Sequence, residues 1–252
     1  LFTYFGFRYV RLGGFSSVGG VSFRACSVHS DMVRGGGFSC SDEVLSRFYE
    51  NTVWGQLSNF VDIPTDCPQR DERFGWLGDA QVFAETSLLH FDCAPFWRKF
   101  LADIDIEIFK YGAPPDFAPF FGDPSDGEPM LLKGSSGWAD AVAIVTDAVY
   151  RATADEEVVR AQYPYVCGWA EYMLDLSPDG LFRAGTRYGD WLARDGDGLA
   201  GKTDPVLIST AFCYRCLCIA HSFACLLGLP QDARRWQESA RAVRRAWRGR
   251  FL

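Results

Sequence analysis

The chain has 252 residues, 48% hydrophobic and 23% charged, enough for one globular core or one and a half. Its net charge of −7 argues against nucleic-acid and anionic-membrane partners and suits a neutral substrate. Nine cysteines, an odd number without repeated spacing, argue against a disulfide framework and for reduced thiols, and so for a cytoplasmic rather than a secreted protein.

Residues 1–12 and 21–28 are rich in aromatic and β-branched side chains, which predicts short strands. Gly35-Gly36-Gly37 reads as a hinge, after which Ser39, Ser41 or Asp42 caps a helix over 42–58. Further helices are predicted over 79–91, 95–111, 138–152, 155–176, 205–228 and 231–250. Pro95 opens one of them, and Pro164 is expected to break or kink another. Residues 112–136, rich in Pro, Gly and Asp, form a long loop of the kind that roofs a cleft. Cys213, Cys216, Cys218 and Cys225 share one apolar helical stretch and read as small buried hydrophobes rather than metal ligands. No run of about 18 apolar residues marks a membrane span. The chain starts without Met inside an apparent strand, so a targeting segment could precede it.

Between the first two helices lies Thr65-Asp66-Cys67-Pro68-Gln69-Arg70-Asp71-Glu72-Arg73-Phe74-Gly75-Trp76-Leu77-Gly78-Asp79. Pro68, Gly75 and Gly78 make it a loop. Its acids Asp66, Asp71, Glu72 and Asp79 alternate with Arg70 and Arg73 around Trp76. One reading is an ion-pair cluster at a helix entry, with Asp79 as the cap. The other is a sugar site, where a flat apolar face stacks on the ring and carboxylates grip its hydroxyls.

From Asp66 to Asp79 the string resembles the catalytic-loop signature of the α-L-rhamnosidases, inverting glycoside hydrolases, and departs from it at Phe74 and Leu77. Three further segments resemble that family in order: Phe2–Val10, which there ends a β-sandwich domain; Gly137-Trp138-Ala139-Asp140-Ala141; and Gly189-Asp190-Trp191-Leu192. The resemblance implies a mainly α fold, an (α/α)6 toroid of twelve helices, of which the periodicity shows about seven. It therefore implies an incomplete (α/α)6 toroid, with residues 1–36 a β-strand remnant of a preceding β-domain plus linker. Residues 37–252 would be the N-terminal part of the catalytic domain, truncated at the C-terminus. By the same resemblance Glu72 is the general acid, and Asp66, Arg70, Trp76, Asp79, Trp138, Asp140, Asp190 and Trp191 bind the sugar. The implied substrate is a terminal α-L-rhamnosyl unit. No metal or cofactor is implied, calcium in the family belonging to accessory domains. The remainder of the toroid and the upstream β-domain are the missing structural partners.

Glycoside hydrolysis needs an acid at the leaving oxygen and a second carboxylate on the opposite face, ~6.5–9.5 Å away in an inverting enzyme. Neighbouring Asp66, Asp71 and Asp79 favour a protonated Glu72, while Arg70 and Arg73 oppose this. The family's base, a late Glu, and its pocket histidine have no counterpart before Leu252. Asp140 and Asp190 are the internal substitutes for the base, and His221 reads as core or surface. Three alternatives stand beside the hydrolase: an inactive rhamnose-binding module, another toroid glycosidase of trehalase-like or glucoamylase-like type, and a purely structural helical domain.

Overall fold

The computed structural model describes residues 3–17, 19–121, 134–194 and 201–252. Among them the chain forms helices α1 (Glu43–Asn59), α2 (Leu77–His90), α3 (Ala94–Tyr111), α4 (Ala141–Thr153), α5 (Glu156–Asp175), α6 (Pro205–Leu226) and α7 (Pro230–Phe251). Each lies within a few residues of a helix expected from the sequence, because the boundary chemistry is local. Asp42 Oδ1 accepts the amides of Val44 and Leu45 at 2.8 and 3.1 Å and starts α1. Asp155 and Asp204 cap α5 and α6 in the same way. Pro95 sits in the first turn of α3, and Gly112, at φ 79°, ends that helix. Pro164 does not break α5: the helix runs through it, held on either side by buried Tyr163 and Val166. Asp79 is not a cap, since α2 already begins at Leu77 and Asp79 falls in its first turn.

The helices pack as two rows. α2, α4 and α6 lie beside one another, while α3 and α5 form a second row behind them; α6 and α7 make the most extensive hairpin. α4 is the middle of this arrangement, touching α2, α3, α5 and α6. Its sequence suits that place, since it is apolar nearly all round and almost wholly buried. Trp97, Phe100 and Leu101 from α3, Cys213 and Cys216 from α6, and Trp236 from α7 complete the core. α6 is long and apolar enough to cross a membrane by length and composition, although polar residues interrupt its apolar run. Here it is a core helix packed against α4, α5 and α7. Of the four cysteines in that stretch, Cys213 and Cys216 are buried as expected, Cys218 is partly buried and Cys225 is exposed.

Two short antiparallel pairs pin the helix ends. β2 (Phe60–Val61) folds back on β3 (Ile63–Pro64) through Asp62, and β1 (Val33–Arg34) pairs with β4 (Phe91–Asp92). Phe60 stacks on Phe96 at 4.4 Å. The strands expected over 1–12 and 21–28 do not form among the described residues; the first strand is β1. Strand-forming side chains need a neighbouring edge to pair with, and here they lie extended and open, with Phe5, Phe7 and Tyr9 exposed. α1 and α2 expose the apolar side chains Phe48, Trp54, Val82 and Leu89.

Of the long loop over 112–136, residues 122–133 lie outside the described part. Its first part, Gly112–Phe121, braces the signature loop. The Leu77 amide donates to the Asp116 carbonyl at 2.9 Å and the Ala118 amide to the Gly75 carbonyl at 3.0 Å. Phe117 packs on Phe74 at 4.8 Å and on Trp76 at 5.1 Å. The Asp116 side chain is wholly buried and accepts a hydrogen bond from the Tyr188 hydroxyl at 2.8 Å. Burial raises the Asp116 carboxyl to about 6, against the opposing pull of Tyr188, Arg187 and Ser135. Between about pH 4 and 6 the folded chain therefore keeps a proton that the unfolded chain has lost, and stability falls as the pH rises through that window. Asp116→Asn should flatten this fall by on the order of 3 kcal/mol, read as urea midpoints of wild type and variant at pH 4 and pH 7. Asp105, also raised to about 6 by burial, leaves a residual slope. Parallel pH curves for the two proteins would contradict the assignment.

Candidate active site

Three loops meet at one end of the fold, because each leads into a helix of the front row. The signature loop enters α2, residues 134–140 enter α4, and residues 185–194 and 201–204 lie ahead of α6. The outer helices carry the chain back between them. An open cleft of about 770 Å³ lies where these loops converge, its wall including Asp66, Asp79, Trp138, Asp190 and Trp191. These five residues come from three separate stretches of sequence, and the fold brings them together. Glu72, Arg70 and Trp76 stand beside that wall, tied to it through Asp66.

The signature loop is closed at its base by two bonds between Asp66 and Phe74. The Asp66 amide donates to the Phe74 carbonyl at 3.0 Å, and the Phe74 amide to Asp66 Oδ1 at 3.1 Å. Arg70 Nη2 donates to Asp66 Oδ2 at 2.6 Å and stands 3.3 Å from Glu72 Oε2. Arg70 Nε reaches the Cys67 sulfur at 3.3 Å, and these partners hold the guanidinium firmly in its charged form. The Trp76 indole donates to Glu72 Oε1 at 2.7 Å. Both Glu72 oxygens are thus oriented, while the side chain remains about a third exposed. Asp79 is exposed in the cleft; its carboxyl is raised by the crowding of protein around it, and then by Asp66 and Glu72.

The aromatic wall forms across the other two loops. Trp138 lies over the first turn of α2 so closely that a Cβ at Gly78 would stand 2.7 Å from its ring, which makes glycine necessary there. Tyr188 packs on Trp138 at 4.1 Å and meets Trp191 and Trp76 edge-on at 5.4 and 6.4 Å. Trp191 is 42% exposed, as a stacking surface must be. Asp190 lines the cleft and accepts a bond from Thr203 at 2.8 Å.

Asp140 lies elsewhere. It is completely buried, with Oδ2 accepting the Gly137 amide at 2.6 Å and Oδ1 accepting from the Trp169 indole and the Cys216 thiol at 2.9 and 3.2 Å. Burial raises its carboxyl, and three donors saturate it. It fastens the turn that presents Trp138 and does not itself face the cleft, so a sugar-binding or base role does not fit its position. His221 is likewise on α6, bonded to the Ala233 carbonyl at 2.9 Å. Asp116 and Tyr188 are the residues that sequence reasoning missed. Tyr188 sits next to the recognised Gly189-Asp190-Trp191, but its anchor, Asp116, is 72 positions away and has no local signal.

In chemical terms the cleft offers stacking faces, hydroxyl acceptors and an oriented Glu at its edge. Carboxylate oxygens of Asp66 and Glu72 lie within 4.8 Å of each other, closer than the ~6.5–9.5 Å of an inverting pair. Asp66 also accepts from Arg70 and from the Phe74 amide, bonds that hold the loop.

A model of the bacterial α-L-rhamnosidase six-hairpin glycosidase domain matches residues 33–252. An α-L-rhamnosidase of Alteromonas sp. (strain LOR) is 34% identical over 259 residues, covering all of this chain and 27% of the relative. One from Streptomyces avermitilis is 34% identical over 254 residues, again covering all of this chain and 23% of the relative. The chain thus spans about a quarter of the length of these curated relatives. Among solved structures, an α-L-rhamnosidase from Dictyoglumus thermophilum superposes with a TM-score of 0.79 at 33% identity, over 89% of this chain and 24% of the other. The Streptomyces avermitilis α-L-rhamnosidase complexed with L-rhamnose gives 0.78 at 33% identity, over 89% of this chain and 20% of that one. With the arc of paired helices and the loop geometry above, these matches show that the chain belongs to the bacterial α-L-rhamnosidase six-hairpin glycosidase family.

Proposed function

We propose that this chain carries the acid half of a site that hydrolyses terminal α-L-rhamnosides with inversion. The observation that supports this best is Glu72, oriented by Trp76 and Arg70 beside a cleft walled by Trp138, Trp191, Asp79 and Asp190. The rhamnose ring stacks on the tryptophans, and Asp79 and Asp190 accept its hydroxyls. Glu72 gives its proton to the glycosidic oxygen as the bond to the anomeric carbon breaks. Arg70 has its shorter bond to Asp66, so it can stay there while Glu72 turns to the leaving group. The opposing carboxylate comes from the three quarters of the relatives' length that this chain does not span. Asp140 is closed to that role by burial, and Asp190, which also accepts from Thr203, is read as a hydroxyl acceptor.

Titration with L-rhamnose should change tryptophan fluorescence saturably, and D-glucose should not. Trp191→Ala and Asp79→Asn should each weaken rhamnose binding about tenfold, the cost of one stacking face or one hydrogen bond. An equal response to glucose would favour another toroid glycosidase. No response from folded protein would favour a purely structural domain.

A further inference from the structure

The residues ahead of the helical domain touch the catalytic loop on both flanks of Glu72. Arg73, the next residue after Glu72, donates from Nη1 to the Tyr4 carbonyl at 2.6 Å, across 69 positions of sequence. The same guanidinium lies over the Tyr4 ring, 4.8 Å from its centroid. Two residues on, Gly6 lies against the main chain ahead of Glu72. A Cβ there would come within 2.6 Å of the Pro68 carbonyl oxygen and 3.0 Å of the Gln69 Cα, both backbone atoms that cannot swing aside. Glycine is therefore required for the segment to lie flat on the loop.

Two further facts give the contact a purpose. Arg73 has φ 53°, a left-handed conformation that a non-glycine residue keeps only when its surroundings hold it. Its other partner, Asp71, is fully exposed and 3.6 Å away, so the hold comes from Tyr4. Burial does not explain why the segment stays: Phe5, Phe7 and Tyr9 are 65%, 61% and 86% exposed. The family domain model begins at residue 33, so the contact joins residues outside the matched domain to the turn that carries the acid.

We propose that residues 4–6 form a strap that positions Glu72, Tyr4 gripping Arg73 while Gly6 seats on Pro68. The proposal rests on the reading of Glu72 as the acid. Tyr4 and Gly6 are positioning residues: they touch the loop and do not face the cleft. A small displacement of a catalytic group is expensive in rate, up to about a hundredfold for 1 Å, so a loop bent at Arg73 needs an external hold.

The test is native-state hydrogen exchange at the Asp66 and Phe74 amides, which close the loop, with the α4 amides as reference. Tyr4→Ala and Gly6→Val should speed exchange at Asp66 and Phe74 at least tenfold and leave α4 unchanged. Tyr4→Phe, which keeps the ring that Tyr4→Ala removes, should match wild type. Where aryl α-L-rhamnoside cleavage is measurable, Tyr4→Ala should lower kcat about tenfold with little change in rhamnose affinity. Unchanged loop exchange in both variants would overturn the strap. Equal loss of protection in α4 would overturn it too, as would a Tyr4→Phe variant as damaged as Tyr4→Ala. The exchange is read without sugar, so a chain that neither binds rhamnose nor cleaves the rhamnoside overturns the functional reading and leaves the strap to be judged separately.

Discussion

Arg70 occupies the point on which the site depends. It bonds Asp66 at 2.6 Å and stands 3.3 Å from Glu72, placing one positive charge between two carboxylates that approach within 4.8 Å. Without that charge the two acids would repel each other and the turn between them would open. With it, Asp66 becomes a structural acceptor that closes the loop onto Phe74, and Glu72 is left facing outward with one oxygen on the Trp76 indole. A lysine could supply the charge but not the fork that reaches Cys67, Asp66 and Glu72 together.

The architecture explains why such a loop can be held at all. Loops entering alternate helices of one row arrive at one end of the fold, and α4 at the middle of the row is too apolar to sit anywhere but the core. Two buried carboxylates then fix the neighbouring loops. Asp140 ties the Trp138 turn to α5 and α6 through Trp169 and Cys216. Asp116 holds the Tyr188 hydroxyl, and Tyr188 in turn spaces Trp76, Trp138 and Trp191. Burying a carboxyl is costly, as the upward shifts of both groups show, and the return is a rigid aromatic wall.

What could be read from the sequence divides along the range of the interactions. Helix positions were legible because caps, prolines and apolar spacing act within a few residues, as at Asp42 and Pro95. The family signature was legible because its residues are contiguous. What failed were judgements that need a partner distant in sequence. The aromatic N-terminal segment reads as strand but has no edge to pair with among the described residues. Pro164 reads as a break or a kink, and α5 continues through it without a break. Asp140 reads as a pocket acid through the resemblance of Gly137–Ala141 to the family, while the structure buries its side chain just ahead of α4. The Asp116–Tyr188 and Arg73–Tyr4 contacts, each bridging about seventy positions, have no local signature at all.

The most direct test is release of nitrophenol from an aryl α-L-rhamnoside by this chain, with and without azide, in wild type and Glu72→Gln. Azide would attack the anomeric carbon from the face opposite the leaving group, the bond to the nitrophenyl oxygen would break, and Glu72 would supply the proton. The account predicts release that depends on azide, yields the β-L-rhamnosyl azide and falls at least tenfold in Glu72→Gln. Absence of release from folded protein under both conditions, or release that Glu72→Gln leaves unchanged, would contradict it.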